Sequence, residues 1–140
     1  MKVSKHITIH EATVSQTATR KGISNIPNDE VLLAMQLVAG KCFEKIRAWY
    51  KKPIKVNSFY RSKELNEAIG GSQTSQHVKG EAIDLSGGSR VENKKIFEWC
   101  KSNLIFDQLI YEYGDETGPD WVHVSYTGKG VNRQQVLTIK

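Results

Sequence analysis

The stretch Ser75-Gln76-His77-Val78-Lys79-Gly80-Glu81-Ala82-Ile83-Asp84 sets a histidine in a polar loop, then a glycine, then a run whose period is two. Along Glu81 to Ser86, the residues Ala82, Asp84 and Ser86 share one face of a strand while Ile83 and Leu85 take the other. Aspartate is disfavoured in strand interiors, and burying its charge is costly unless a cation or hydrogen bonds compensate it. Two compensations are open. In one, Asp84 pairs with a lysine or arginine and His77 and His123 are polar surface residues. In the other, a divalent metal is shared by Asp84, His77 and His123. Two imidazoles and one carboxylate form the three-ligand set with which zinc keeps a fourth position for water.

Outward from this stretch, the period-two pattern recurs. Strands are predicted at Ile54 to Tyr60, Glu81 to Leu85, Gln108 to Tyr113, Trp121 to Tyr126 and Gln135 to Ile139, most of them rich in β-branched or aromatic residues. In the fourth, Trp121, His123 and Ser125 oppose Val122 and Val124. If the valines, Ile83 and Leu85 pack under helices, Asp84 and His123 share the open face. Helical spacing governs the rest. Val31, Met35, Val38, Cys42, Ile46 and Trp49 recur at steps of three and four behind the capping candidates Asn28 and Asp29, which predicts a long amphipathic helix ending before Pro53. Shorter helices are predicted at Glu11 to Thr19, Lys63 to Ile69 and Val91 to Ser102. Strands following helices and joined by short turns such as Tyr126 to Gly130 argue for an α+β fold with an antiparallel sheet.

Composition narrows the function classes. The chain has 140 residues, a size at which one domain spanning 1–140 is expected and disulfides are not needed for stability. Its two cysteines lack CxxC spacing, so any metal site uses histidine and carboxylate. Cys42 sits on the apolar helical stripe, and nothing around Cys100 supplies a base for a nucleophilic thiol. The N-terminus MKVSKHITIH has no apolar core of a secretory signal, and no stretch approaches a membrane span. The expectation is a chain made in the cytoplasm. A net charge of +5 admits an anionic partner, but no basic run exceeds two residues and aromatics do not interleave with Lys or Arg, so nucleic acid is not the expected partner.

Two further residues bear on chemistry. Asp120 lies three residues before His123, after the Gly118-Pro119 turn, where a carboxylate could lie beside a metal and take a proton from water. Alternatively it is a turn aspartate. Arg61 closes the first of the predicted strands, where a guanidinium could grip a substrate carboxylate or a developing oxyanion, or be a solvated surface charge.

These residues resemble the zinc D-alanyl-D-alanine carboxypeptidases and the phage L-alanyl-D-glutamate endolysins, a family that shares its fold with the hedgehog signalling domain. The signature Ser-x-His-x-x-Gly-x-Ala-x-Asp is matched by Ser75, His77, Gly80, Ala82 and Asp84. Asp120-Trp121-Val122-His123 matches a second element, an acidic residue three positions before a histidine. Ser58-Phe59-Tyr60-Arg61-Ser62, followed by Glu64-Leu65-Asn66 and Gly70-Gly71, matches a third. The likeness covers roughly Pro53 to Tyr126, and the N-terminal part is similar to small phage and prophage members made of one catalytic domain.

The resemblance implies a hedgehog/DD-peptidase-like fold, with helices packed on one face of the sheet and zinc on the open face. It implies that His77, Asp84 and His123 bind Zn²⁺, that Asp120 is the general base, and that Arg61, with Ser75, contacts substrate. Many relatives carry glutamate at the position of Asp120, and the aspartate resembles the endolysin branch. His6 and His10 match no ligand position. The implied activity is hydrolysis of peptidoglycan stem peptides, as a D-Ala-D-Ala carboxypeptidase or an L-Ala-D-Glu endopeptidase, by a monomer acting on the cell wall after release or export. The alternative is a wall-binding zinc module of the same fold without catalysis. On either reading, the +5 charge serves attraction to an anionic wall.

Overall fold

A computed structural model describes residues 1–140. The chain opens with a short hairpin, β1 (Lys2–Ser4) and β2 (Ile7–Thr8), followed by α1 (Ile9–Thr13) and α2 (Gln16–Lys21). The sequence predicted one helix from Glu11 to Thr19, and there are two. Val14 is extended, and the Ser15 side chain then accepts the Ala18 N–H and caps a new helix. The first is closed at its start by a capping box between Thr8 and Glu11.

The long amphipathic helix is present as α3 (Asp29–Val38), a π-helical segment (Ala39–Phe43) and α4 (Glu44–Tyr50), with helical dihedrals through both joints. Asn28 caps it by accepting the Val31 N–H at 2.8 Å. The π segment is a wider turn and shifts the phase of the apolar stripe. Met35, Val38, Cys42 and Ile46 remain fully buried, whereas Trp49, expected on the same stripe, is 38% exposed and stacks on Trp99 at 4.9 Å.

Downstream lie β3 (Lys55–Ser58), α5 (Lys63–Ala68), β4 (Ala82–Ser86), α6 (Arg90–Asn103), β5 (Gln108–Glu112), β6 (Trp121–Ser125) and β7 (Gln135–Ile139). The five later strands form one sheet in the order β3-β4-β6-β5-β7. The first three pairings are antiparallel, as expected. The last is not: β7 runs parallel to β5. The chain leaving β6 passes over β5 instead of turning back beside β6, and Asp107, Phe106 and Leu104 hold the crossing segment at Arg133 and Gln134. The sheet is therefore mixed.

One face of the sheet carries the core. Ile83 and Leu85 of β4, Leu109 of β5 and Val122 and Val124 of β6 are fully buried, in one cluster with Met35, Cys42 and Ile46 of the long helix and Ile96, Phe97 and Cys100 of α6. Burying each such aliphatic side chain contributes about 1.5–3 kcal/mol. Burial also pushes the Cys42 thiol up to about 12, so it is an inert packing group. No helix is long and apolar enough to cross a membrane.

Candidate metal centre

The register of the sheet builds the site on its other face. Asp84 of β4 pairs directly with His123 of β6, which in turn pairs with Ile110 of β5. Cross-strand partners project to the same side, so the carboxylate and the imidazole meet: His123 Nδ1 lies 3.0 Å from Asp84 Oδ1. His77 arrives from the loop between α5 and β4. That loop is folded on itself, with Gly80 N–H donating to the His77 carbonyl and Glu81 N–H to that of Gln76. Gly80 sits at φ +72°, and a side chain there would press within 2.9 Å of the Val31 carbonyl. A glycine is what this turn requires.

The His77 ring is 3% exposed, and its Nδ1–H donates to the Phe59 carbonyl at 2.7 Å. Its other nitrogen, Nε2, lies 3.2 Å from Asp84 Oδ2. The two rings meet edge to face at 5.3 Å. One ligand atom from each of His77, Asp84 and His123 lies within 4.8 Å of the other two. Burial alone would raise the Asp84 carboxyl, but hydrogen bonds and charge from His123 and His77 outweigh it and hold Asp84 well below the usual carboxylate range. Asp84 is thus compensated by the two histidines and not by a lysine or arginine ion pair.

This donor set fits a divalent metal. His77 has its Nδ1 committed to a carbonyl, the outer-shell arrangement that orients a ligating imidazole, and so presents Nε2. His123 Nε2 is buried without a partner, which leaves Nδ1 as the engaged nitrogen. Two imidazoles and a carboxylate suit zinc.

The cleft above the centre has a volume of about 540 Å³ and is lined by Arg61, Ser75, Gln76, Glu112, Trp121 and Tyr113 among others. Arg61 reaches it from the segment after β3. Its Nη2 donates to Ser75 Oγ at 3.2 Å, its Nε is buried without a partner, and burial lowers its pKa. Ser75 Oγ also accepts the His77 N–H, so it ties the guanidinium to the ligand loop.

Asp120 is not brought into this cleft. Its Oδ1 accepts from Arg90 Nε at 2.9 Å, while Arg90 Nη1 reaches Asp115. Asp120 lies on the bend just before β6, which begins at Trp121. Besides Asp84, the carboxylate that lines the cleft is Glu112. Burial, then the neighbouring charge of Asp84, raises its pKa. Its only sequence signal is alternation with Ile110, and the strand register that makes this meaningful is not visible in one sequence. Of the other histidines, His6 pairs with Glu44 at 2.6 Å, away from the centre.

Residues 5–125 match the family model described as Peptidase M15. No curated protein matches the chain. The matched residues include all three candidate ligands and stop before β7.

Proposed function

The chain belongs to the M15 peptidase family, and from that membership we propose that it is a zinc-dependent metallopeptidase hydrolysing peptide bonds in peptidoglycan stem peptides. The observation that carries the reading is the convergence of His77 Nε2, Asp84 and His123 Nδ1 on one point of an open cleft. The specific bond is that of a D-Ala-D-Ala carboxypeptidase or an L-Ala-D-Glu endopeptidase. The helices on one sheet face and the ligands on the other support a hedgehog/DD-peptidase-like arrangement.

His77, Asp84 and His123 would hold the zinc. When bound, zinc supplies Lewis acidity, polarising a scissile carbonyl and making water a better nucleophile at neutral pH. The chain's own groups do the rest. The hydrogen bond from His77 to Phe59 keeps one ligand ring in place. Arg61, fastened to Ser75, offers guanidinium donors to a substrate carboxylate or to the oxyanion that develops as the carbonyl is attacked. Loss of one such donor typically costs about 3–4 kcal/mol of transition-state stabilisation. Asp120, three residues before His123, is the proposed general base; its exposed carboxylate here accepts from Arg90 Nε.

The test is mass spectrometry of products from purified muropeptides, with and without chelator. Cleavage that vanishes with chelator and returns with zinc is expected, and the product masses identify the bond. Zinc-loaded protein that binds wall fragments and cleaves none of them would replace this reading with the non-catalytic wall-binding module.

A further inference from the structure

We propose that Arg133, Asp107 and Gln76 form a brace that positions the loop carrying His77, so that an arginine at the surface governs how tightly the candidate centre holds zinc. The inference rests on the metal site of the reading above and deepens it. Its starting point is the loop itself. Ser75, Gln76 and His77 are consecutive, and each is tied to another part of the chain. Ser75 Oγ accepts from Arg61 Nη2 at 3.2 Å, and His77 Nδ1 donates to the Phe59 carbonyl at 2.7 Å, so both reach the segment just after β3. Gln76 is tied elsewhere: its Nε2 donates to Asp107 Oδ2 at 2.9 Å, just ahead of β5. β3 is an edge strand and β5 lies three places along the sheet from it. The ligand loop is therefore fastened on two sides, and Gln76 is the fastening on the second.

Asp107 is a firm anchor. It is buried, its N–H donates to the Ser125 carbonyl at 2.8 Å, and its own carbonyl accepts the Gln135 N–H at 3.0 Å. A carboxylate only accepts, so the Gln76 amide must turn its nitrogen toward Asp107, and its Oε1 is left buried without a partner. An unsatisfied acceptor is costly, a cost that an aliphatic side chain of similar size would not carry.

Arg133 supplies the charge that holds the carboxylate in place. Its Nε donates to Oδ1 at 2.9 Å and its Nη2 to Oδ2 at 2.7 Å, and it is the one ion-pair partner of Asp107. Oδ2 is thus shared by Arg133 Nη2 and Gln76 Nε2, which makes Asp107 the link between them. Arg133 itself is 56% exposed, does not line the cleft and lies beyond the residues matched to the family. Its reach to the metal runs through the loop. His77 Nε2 stands 3.2 Å from Asp84 Oδ2, and a shift of residues 75–77 removes one of three ligands from the set. Hydrogen bonds that orient ligands from outside the coordination sphere typically govern about 10–100-fold in metal affinity.

The experiment is zinc affinity by competition with a chromophoric chelator, for Gln76→Leu, Arg133→Ala, Arg133→Lys and the double variant Gln76→Leu/Arg133→Ala. The melting temperature of the zinc-free chain and the visible spectrum of the cobalt(II)-loaded chain are measured beside it. Gln76→Leu should weaken zinc binding by about 10–100-fold and Arg133→Ala by about 3–10-fold, each with an altered cobalt spectrum. Arg133→Lys, which keeps a cation beside Asp107, should fall between Arg133→Ala and wild type. Because both residues act through one carboxylate, the double variant should lose no more than Gln76→Leu alone. A purely structural role would lower the melting temperature of the zinc-free chain and leave zinc affinity and the cobalt spectrum at their wild-type values. That result overturns the brace, and so do losses that multiply in the double variant. Should Gln76→Leu fail to fold, the two Arg133 variants, altered at an exposed side chain, decide alone. None of these measurements uses a substrate. A wild-type chain that binds zinc and cleaves no muropeptide removes the peptidase reading and leaves the brace standing, whereas wild-type zinc affinity in every variant removes the brace and leaves the peptidase reading.

Discussion

The backbone carbonyl of Phe59 accepts a hydrogen bond from His77 Nδ1 at 2.7 Å, which fixes the tautomer of the ring and leaves Nε2 to face Asp84. His77→Ala and His123→Ala each remove one of the three proposed ligands, so zinc after dialysis should fall well below one per chain. Elemental analysis checks this. Full occupancy in either variant would sink the ligand assignment.

Metal removal should also register in stability. A ligand bound only by the folded chain stabilises it by about 2.7 kcal/mol at a concentration one hundred times its Kd. Chelator should therefore lower the melting temperature along with abolishing cleavage, and added zinc should restore both. A melting curve indifferent to chelator would contradict a metal seated among His77, Asp84 and His123.

Behind the ligand loop, Asp107 is the acid-sensitive point. It is 6% exposed in its side chain and receives Arg133 Nε at 2.9 Å, Arg133 Nη2 at 2.7 Å and Gln76 Nε2 at 2.9 Å. The Arg133 guanidinium outweighs burial and holds its pKa down to about 2. A carboxyl lowered on folding stabilises the protein above its ordinary value near 3.9, and that contribution is lost as pH falls from about 4 toward 2. Asp107→Asn should cost about 1–3 kcal/mol at neutral pH and flatten the stability profile over that acid window. Urea titrations between pH 2 and 7 measure it, and an unchanged acid limb would show that Asp107 does not govern it.

Asn93, fully buried on α6, holds the turn that leads into β6. Its Nδ2 donates to the carbonyls of Pro119 and Asp120, and its Oδ1 accepts from Gly87 N–H at 2.7 Å. Asn93→Ala strands those groups and should destabilise by about 2–4 kcal/mol in urea unfolding. A cost under about 1 kcal/mol would mean that water replaces the amide.

Much of the site was legible because strand alternation is a strong signal. Asp84 among Ile83 and Leu85, and His123 among Val122 and Val124, place both groups on the face away from the core before any pairing is known. The pairing itself depends on contacts 39 residues apart, and no local pattern encodes it. The hydrogen bond from Arg90 to Asp120 is likewise out of reach of motif reading, since it joins residues 30 apart. Glu112, which lines the cleft, carries no local signal, since its place beside Trp121 comes only from the ladder. The parallel β7 was beyond reach because the strand pattern is the same in either direction, and Trp49 was misplaced by a π-helical turn that no residue type announces.

The edge strand β7 contributes no ligand, rests on β5 alone and lies outside the residues matched to the family, yet Ile139 still forms part of the cleft wall. The candidate ligands and this part of the cleft wall are thereby carried on separable pieces of chain. Exchanging residues 135–139 offers a way to reshape that wall while the strands that carry Asp84 and His123 stay untouched.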